Sequence, residues 1–508
     1  MMCAHQPSGR FAAPPALAPG EAGGLAVLTV LAFWLRWHAV DAEPLWFDEL
    51  LTWRRAAAAP AALVADAFAG AHYPLYFLVA AGALALFGDS VAALRAPSVL
   101  FGTLCVPLAF LIARALAGRG AGLAAAVLVT LSPFAVTYAQ EARPYAMTML
   151  LVLLALLGQV RLALGPARRP LGAWAAWVAG TAGALITLTG AVLWLAAALV
   201  GFVAMRRALA PASRRRFDRE LAVACGAVGL VWLPWLAGVA QPFATRVAGY
   251  WVAAPTPADV ARGIGFAYLF GRFDPVAFHP LAEPATPLGA VLLVFAVAGA
   301  AALARRGPVL ALMLAAVALP PALLLAAGLV TPVFVPRYLF AGAPAFLVLA
   351  GVGAGAVLER LGRTLRPAGL AAAGALALLA AAHLEPYYTG ERKPRWDLAA
   401  AALDGLVGAE DRLLFGDGQI RLTVELTLSR KGRSLDPAIV LASPAALEGE
   451  SPAGRVLVLF GRSAQHEPPG QAEIEAWLAG HGALDTVFAF GRQVWIAAFV
   501  PASATPPS

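Results

Sequence analysis

Four polar islands interrupt an otherwise apolar sequence, and each holds residues able to do chemistry. Phe47-Asp48-Glu49, with Asp41 and Glu43 nearby, offers a carboxylate that could serve as a general base near a membrane surface. Solvated loop acids are the plainer reading. Tyr138-Ala139-Gln140-Glu141-Ala142-Arg143-Pro144-Tyr145 gathers Gln, Glu, Arg and two Tyr in one short link between apolar runs. A Glu–Arg pair at a helix end with interfacial tyrosines would look the same. Pro336-Arg337-Tyr338 sets one cation in a long apolar stretch. A guanidinium suits phosphate because its planar fork of donors matches the oxygens; a snorkelling arginine is the alternative. The fourth island, 241–283, mixes Arg246, Tyr250, Trp251, Arg262, Asp274 and His279 and could cover a site.

The elements that hold these islands are membrane spans. Of 508 residues, 61% are hydrophobic and 13% charged, about half the charged share of an ordinary soluble domain. So few charges cannot build a water-facing surface for a body of this size. Disorder is excluded, a purely soluble enzyme is disfavoured, and the membrane class is the expectation. The net charge of +8 comes mostly from arginines lying between apolar runs. That is loop charge that sets membrane orientation, so no nucleic-acid partner is expected. Cys3, Cys105 and Cys225 imply neither a disulfide framework nor a cysteine-rich metal site.

Charge-free runs predict spans at 22–35, 96–113, 120–140 and 144–160, and again at 221–239, 287–304, 308–329, 338–358 and 367–382. The run 171–205 is too long for one crossing at about 1.5 Å per residue. Arg168 and Arg169 precede it and Arg206 and Arg207 follow it, so a hairpin turning near 187–190 is expected. The run 73–88 is short for a span and is expected to lie along the outer face. The arginine-rich loops then all fall inside. The fold expected is a polytopic α-helical membrane protein with about eleven transmembrane helices. Residues 1–21 form a cytoplasmic tail without a cleavable signal.

The outer face carries the first loop, 41–95, with juxtamembrane helices, the 138–145 turn, 331–337 and everything after 383. From residue 384 charges return at normal density. Runs at 412–415, 455–460 and 494–500 read as strands, and 396–406 and 473–478 as helices. A small soluble α/β domain over 384–508, outside the plasma (inner) membrane, is predicted. No predicted span interior carries Asp, Glu, Lys or Arg, whereas ion-coupled carriers and proton relays need such groups at mid-membrane. This favours an enzyme with its site at the outer span ends; a non-catalytic or transport protein is the alternative.

The order of the motifs adds a resemblance. The Asp-Glu pair is followed by His72-Tyr73-Pro74-Leu75-Tyr76, Phe87-Gly88-Asp89-Ser90 and Leu94-Arg95-Ala96-Pro97-Ser98. Then come Leu131-Ser132-Pro133-Phe134, the 138–145 turn and Pro336-Arg337-Tyr338. From about residue 22 to 383 the chain resembles the bacterial branch of glycosyltransferase family 39. That group has the GT-C fold and includes protein O-mannosyltransferases, aminoarabinose transferases and Rgt-type galacturonosyltransferases. The resemblance implies a GT-C fold, a polyprenyl-phosphate-sugar donor, and a lipid, glycan or protein acceptor on the outer side. It implies Asp48 as the catalytic carboxylate, with Glu49 beside it and Glu141 as a further acid. Arg337, Arg143 and Tyr338 are expected at the donor phosphate. His72, Tyr73, Gln140 and Tyr145 are expected to contact substrate. Several relatives carry a basic residue before the proline of loop one, where this chain has Tyr73; many carry a His- or Tyr-rich turn, where it has Leu188-Thr189-Gly190.

Charge accounting completes the expectation. A lipid phosphate is already a good leaving group, so it needs cations rather than a proton. One carboxylate base then suffices, unlike the acid–base pair of a glycosidase, and a single displacement inverts the anomeric centre. Glu141 and Arg143 are expected to act as a unit. No cofactor is required. Asp48, Glu49, Glu141, His72 and His279 are donors able to hold a divalent metal, though no spacing demands one.

Overall fold

The computed structural model describes residues 16–165, 170–248, 252, 254–271, 273–274, 279–280, 287–441, 454–461, 476 and 482–501. Proline and glycine set most helix limits, because proline fits a first turn and glycine tolerates a helix exit. The first helix, α1, is Pro19–Trp37. The long outer loop then folds into three short helices, α2 (Phe47–Ala56), α3 (Pro60–Ala69) and α4 (Leu75–Phe87). Helix α5, Val91–Leu131, is a long run broken at Ala117 and Gly118, where Gly118 takes φ +80°, a conformation that favours glycine. The two spans expected at 96–113 and 120–140 are therefore the two helices on either side of this kink. The second also stops early, because Ser132-Pro133 ends it and begins the short α6, Pro133–Ala139.

Helices α7 (Tyr145–Leu164), α8 (Leu171–Leu185) and α9 (Val192–Ala208) follow. The expected hairpin turns between α8 and α9, through a 3-10 turn at Thr189–Ala191. Helix α10, Pro211–Ala248, and α11, Pro257–Tyr268, take up much of the region read as an outer loop from 241. A two-residue ladder, β1 (Phe273–Asp274) with β2 (His279–Pro280), lies beyond them. Helices α12 (Pro287–Leu303) and α13 (Gly307–Gly328) lead to a 3-10 turn at Pro336–Ala341, then α14 (Ala343–Arg360) and α15 (Gly362–Ala382).

Among the described residues, seven helices are long and apolar enough to cross a membrane. Four further apolar helices, Pro60–Ala69, Leu75–Phe87, Leu171–Leu185 and Pro287–Leu303, are shorter. The chain is a multi-pass membrane protein. The outward faces of α10 and α15 fit a lipid surface, with Leu230 78% and Leu378 74% exposed. Inside, α14 packs closely on α5. A Cβ added at Gly351 would meet the Ala125 backbone nitrogen at 2.6 Å, and one at Gly355 would meet that of Ala121 at 2.5 Å. Small residues four apart let two helix backbones approach where lipid offers no hydrophobic drive.

Helix α1 carries charges at both ends. Glu21 pairs with Arg114 at 3.2 Å. Arg36 is fully buried and donates to the carbonyls of Val129 at 2.9 Å and Thr130 at 3.4 Å. Those carbonyls lie in the last turn of α5, which has no intrahelical donors left for them, so a cation there is satisfied by geometry and by the helix dipole.

Beyond α15, α16 (Glu385–Thr389) leads to α17 (Trp396–Leu406), β3 (Arg412–Phe415) and α18 (Gly418–Ser429). Strands β4 (Val456–Gly461), β5 (Gly482–Phe490) and β6 (Val494–Pro501) complete a sheet of order β3-β4-β6-β5. The β3–β4 pair is parallel, which requires a crossover connection, and the other pairs are antiparallel. Three strands and α17 lie where the sequence puts them. Strand β5 and helix α18 were not read from it, and the helix expected at 473–478 falls almost wholly outside the described residues. One face of the sheet packs on Trp396, Ala399 and Leu403 of α17. Helix α18 reaches the membrane domain: Leu426 joins a core with Leu45 and Leu50, and Arg430 pairs with Asp89 at 3.0 Å.

Candidate active site

Helix α2 begins with two carboxylates in its first turn, which complement the partial positive charge of a helix N-terminus. Successive helical residues point about 100° apart, and here that rotation divides the two acids. Glu49 turns inward and is fully buried. Arg95 grips it with two bonds, Nε to Oε1 at 2.8 Å and Nη2 to Oε2 at 2.7 Å. Lys393 Nζ donates to Oε2 at 2.6 Å and the Ala142 amide to Oε1 at 2.8 Å. Burial alone would raise this carboxyl, but Arg95 and Lys393 outweigh burial and pull it down to about 2. Arg95 also donates to the carbonyls of Val40 at 2.6 Å, Glu43 at 3.0 Å and Pro44 at 2.8 Å. It thereby fixes the turn that launches α2.

Asp48 faces the other way, with its side chain 21% exposed. Arg143 Nη2 stands 3.6 Å from Asp48 Oδ2, outside hydrogen-bond range. Arg143 is held instead through Nη1, which donates to the Asp48 carbonyl at 3.3 Å and to Thr52 Oγ1 at 3.3 Å. Its guanidinium lies 6.0 Å from the centre of the Tyr145 ring, and Tyr145 meets Tyr138 edge-on at 5.1 Å. The expected pairing of Arg143 with Glu141 is therefore corrected: the carboxylate beside Arg143 is Asp48.

Glu141 is buried in the tight turn between α6 and α7. Burial is the largest influence on it and raises its pKa; Glu49 and Asp48 push the same way, Lys393 and Arg337 pull back, and the result is about 7. Arg337 is buried on the 3-10 turn, whose Pro336 fixes the first position. Burial opposes its charge, yet Tyr145, Tyr338, Asp48 and Tyr138 hold its pKa well above the usual arginine range. Its guanidinium lies 6.0 Å from the Tyr338 ring. Helix α11 backs this turn closely, since a Cβ at Gly263 would meet Phe334 at 3.0 Å. Asp48 and Arg337, from distant stretches of chain, thus fall within electrostatic reach of each other and of both Glu141 and Arg143.

Residues 71–237, about a third of the chain, match the family model described as dolichyl-phosphate-mannose-protein mannosyltransferase. The match includes His72–Tyr76, Arg95 and the Glu141 turn, and leaves Asp48, Arg337 and Lys393 outside. Among solved structures the chain is similar to ArnT from Cupriavidus metallidurans in the apo state. That likeness covers 96% of this chain and 100% of ArnT at 15% identity, with a TM-score of 0.60. The same protein bound to undecaprenyl phosphate aligns at 14% identity over 97% and 100%, with a TM-score of 0.57. The archaeal oligosaccharyltransferase AglB from Archaeoglobus fulgidus, in complex with an inhibitory peptide and a dolichol-phosphate, aligns at 11% identity over 96% of this chain and 75% of its own, with a TM-score of 0.57. The chain has the GT-C fold of these structures. No curated protein matches it by sequence.

Within this GT-C frame the other expected site residues divide. Gln140 is a structural knot: Nε2 donates to the carbonyls of Arg36 at 3.0 Å and His38 at 2.7 Å, and Oε1 accepts from Tyr387 at 3.0 Å and Arg392 at 2.5 Å. Tyr73 is buried and accepts from Trp232 Nε1 of α10 at 3.1 Å, which turns its hydroxyl toward that helix. His72 is half-buried with its ring edge-on to Phe77 at 6.1 Å. Among the described residues no three His, Cys, Asp or Glu side chains converge on a metal-sized site. Glu49, already taken by two cations and an amide, is poorly placed to add one. Of the 241–283 island, Arg262 pairs with Asp259 on its own helix. The side chains of Arg246, Asp274 and His279, and all of Tyr250 and Trp251, lie outside the described residues.

Sequence reasoning missed Arg95 as the partner of Glu49, although it lies in a quoted motif. It also missed Lys393 and Arg392, assigned to a separate soluble domain. The signal was present in Glu391-Arg392-Lys393-Pro394-Arg395, since the chain has two lysines among its 37 basic residues and Lys393 is one.

Proposed function

We propose that this chain transfers a sugar from a polyprenyl-phosphate-sugar donor to a hydroxyl of a lipid, glycan or protein acceptor. The reaction is an inverting displacement at the outer face of the plasma membrane. The N-terminus is cytoplasmic and the C-terminal domain extracytoplasmic. The observation that carries this reading is the contrast between the two acids of α2. Glu49 is consumed by Arg95 and Lys393, while Asp48 keeps a partly open carboxylate beside Arg143. A base must have a free lone pair within reach of the proton it takes, and Asp48 meets that condition better than Glu49.

In the proposed reaction the acceptor hydroxyl attacks the anomeric carbon and Asp48 takes its proton. The new bond forms from acceptor oxygen to anomeric carbon as the bond from that carbon to the phosphate oxygen breaks. The polyprenyl phosphate leaves with the electron pair. Arg337 and Arg143 offset the charge growing on it, an interaction worth more in the transition state than in the ground state. Glu49 is a positioning residue that holds α2. The lipid-bound forms of ArnT and AglB support a lipid-phosphate ligand. The clustering of titratable groups at one end of the bundle supports an enzyme over a flippase, which needs a path through both leaflets.

The test is transfer of label. Purified chain, a radiolabelled polyprenyl-phosphate sugar and a membrane extract as acceptor source should give labelled lipid, glycan or protein. Movement of intact donor between leaflets with no transfer of sugar would support the flippase instead.

A further inference from the structure

Lys393 sits on the connector between α16 and α17, and this connector is drawn into the site. Tyr387 donates to Gln140 Oε1 at 3.0 Å, Arg392 donates to the Ala39 carbonyl at 3.0 Å, and Lys393 donates to Glu49 at 2.6 Å. The Lys393 side chain is 12% exposed, so it is not sealed in. An ammonium has three donors, and Glu49 takes one of Lys393's. Glu49 does not need this second cation, because Arg95 already balances it with two bonds. The local count makes the same point. Arg95, Arg143, Arg337 and Lys393 face Asp48, Glu49 and Glu141, four cations against three acids. Burial pushes the Glu141 carboxyl up, so one of those acids is partly protonated near neutral pH and the surplus of positive charge grows. A buried positive surplus costs free energy unless an anion completes it.

We propose that Lys393 is a ligand of the donor phosphate, so that the connector to the C-terminal domain supplies part of the active site. This deepens the donor reading above and rests on it. Lysine is a point-charge binder of phosphate, and Glu49 fixes its ammonium at the edge of the cluster that holds Asp48, Glu141 and Arg337. The Asp89–Arg430 pair and the contact of Leu426 with the α2 core anchor the C-terminal domain on the same loop. The connector is thereby pinned at both ends.

The experiment titrates purified full-length chain in detergent with undecaprenyl phosphate and with undecaprenol, its uncharged twin. Lys393→Gln should weaken undecaprenyl phosphate binding about tenfold or more and leave undecaprenol binding unchanged. Lys393→Arg, which keeps the charge, should recover most of the loss. Equal losses for both ligands in Lys393→Gln would mean a structural role and overturn the proposal. Wild-type affinity in Lys393→Gln, with a clear loss in Arg337→Ala, would remove Lys393 from the site and leave the donor reading intact. A wild-type chain that fails to distinguish the phosphate from the alcohol would overturn the donor reading itself, and the lysine's role with it.

Discussion

Asp48 and Glu49 are consecutive residues of one helix, yet Glu49 is fully buried against Arg95 at 2.7 Å and Lys393 at 2.6 Å, while Asp48 is partly open with Arg143 at 3.6 Å. One helical step separates a carboxylate enclosed by two cations from one left partly open, the residue proposed as the base. The stability of the first and the chemistry of the second should therefore separate under mutation.

Glu49→Gln leaves the buried Arg95, and the partly exposed Lys393, without their counter-charge. Breaking a buried ion pair from one side costs about 3–5 kcal/mol. Thermal unfolding in detergent should show a large loss for Glu49→Gln and a small one for Asp48→Asn, whose pair is longer and more exposed. Equal melting temperatures for Glu49→Gln and wild type would mean the pair is not what holds α2.

Arg337 should show a graded response. Lysine keeps the charge and loses the planar fork, so Arg337→Lys should reduce transfer in part and Arg337→Ala severely. Undecaprenyl phosphate binding should fall in the same order. Unchanged binding in both variants would move the phosphate site elsewhere.

Glu141 gives a pH prediction for stability. Its carboxyl is raised in the folded chain, chiefly by burial, from an ordinary 4.5 to about 7. Between these values the folded state holds a proton that the unfolded state has lost. The contribution is thus fully present below about pH 4.5 and is lost as pH rises through about 7. Glu141→Gln stays neutral throughout. The melting temperature of wild type relative to Glu141→Gln should fall across this window, and a constant difference would show that Glu141 titrates normally.

Orientation is open to chemical labelling. If α4 stays on the outer face, cysteines at exposed Ser90 and Ser434, and at Gly190 in the α8–α9 turn, should react with an impermeant reagent in intact cells. A cysteine at Ser213, beside the arginine cluster 206–219, should be protected. Labelling of Ser213 with protection at Gly190 would invert the topology.

Much of the fold was legible because membrane spans announce themselves by length and apolarity. The α8–α9 hairpin, α12, α13 and α17 lie close to where charge-free runs or periodicity put them. The break in α5 falls in the 114–119 gap between two expected spans, where Arg114 and Arg119 interrupt the apolar run. Asp48, Glu141, Arg143 and Arg337 stood out as charges at span ends. Their division of labour did not, because it depends on which way each side chain faces. Lys393 was missed for a different reason. It is 344 residues from Glu49 and sits in a charged stretch that reads as solvated linker, and a pairing at that separation leaves no local pattern.

The central claim is that Asp48 takes the acceptor proton. Transfer of labelled sugar from a polyprenyl-phosphate donor by Asp48→Asn tests it most directly, because asparagine keeps size and hydrogen bonding but not basicity. General-base catalysis is worth roughly 10²–10⁴ in rate. The account predicts a loss of that order with folding and undecaprenyl phosphate binding retained. Retention of more than about half the wild-type rate, against that expected loss, would contradict it.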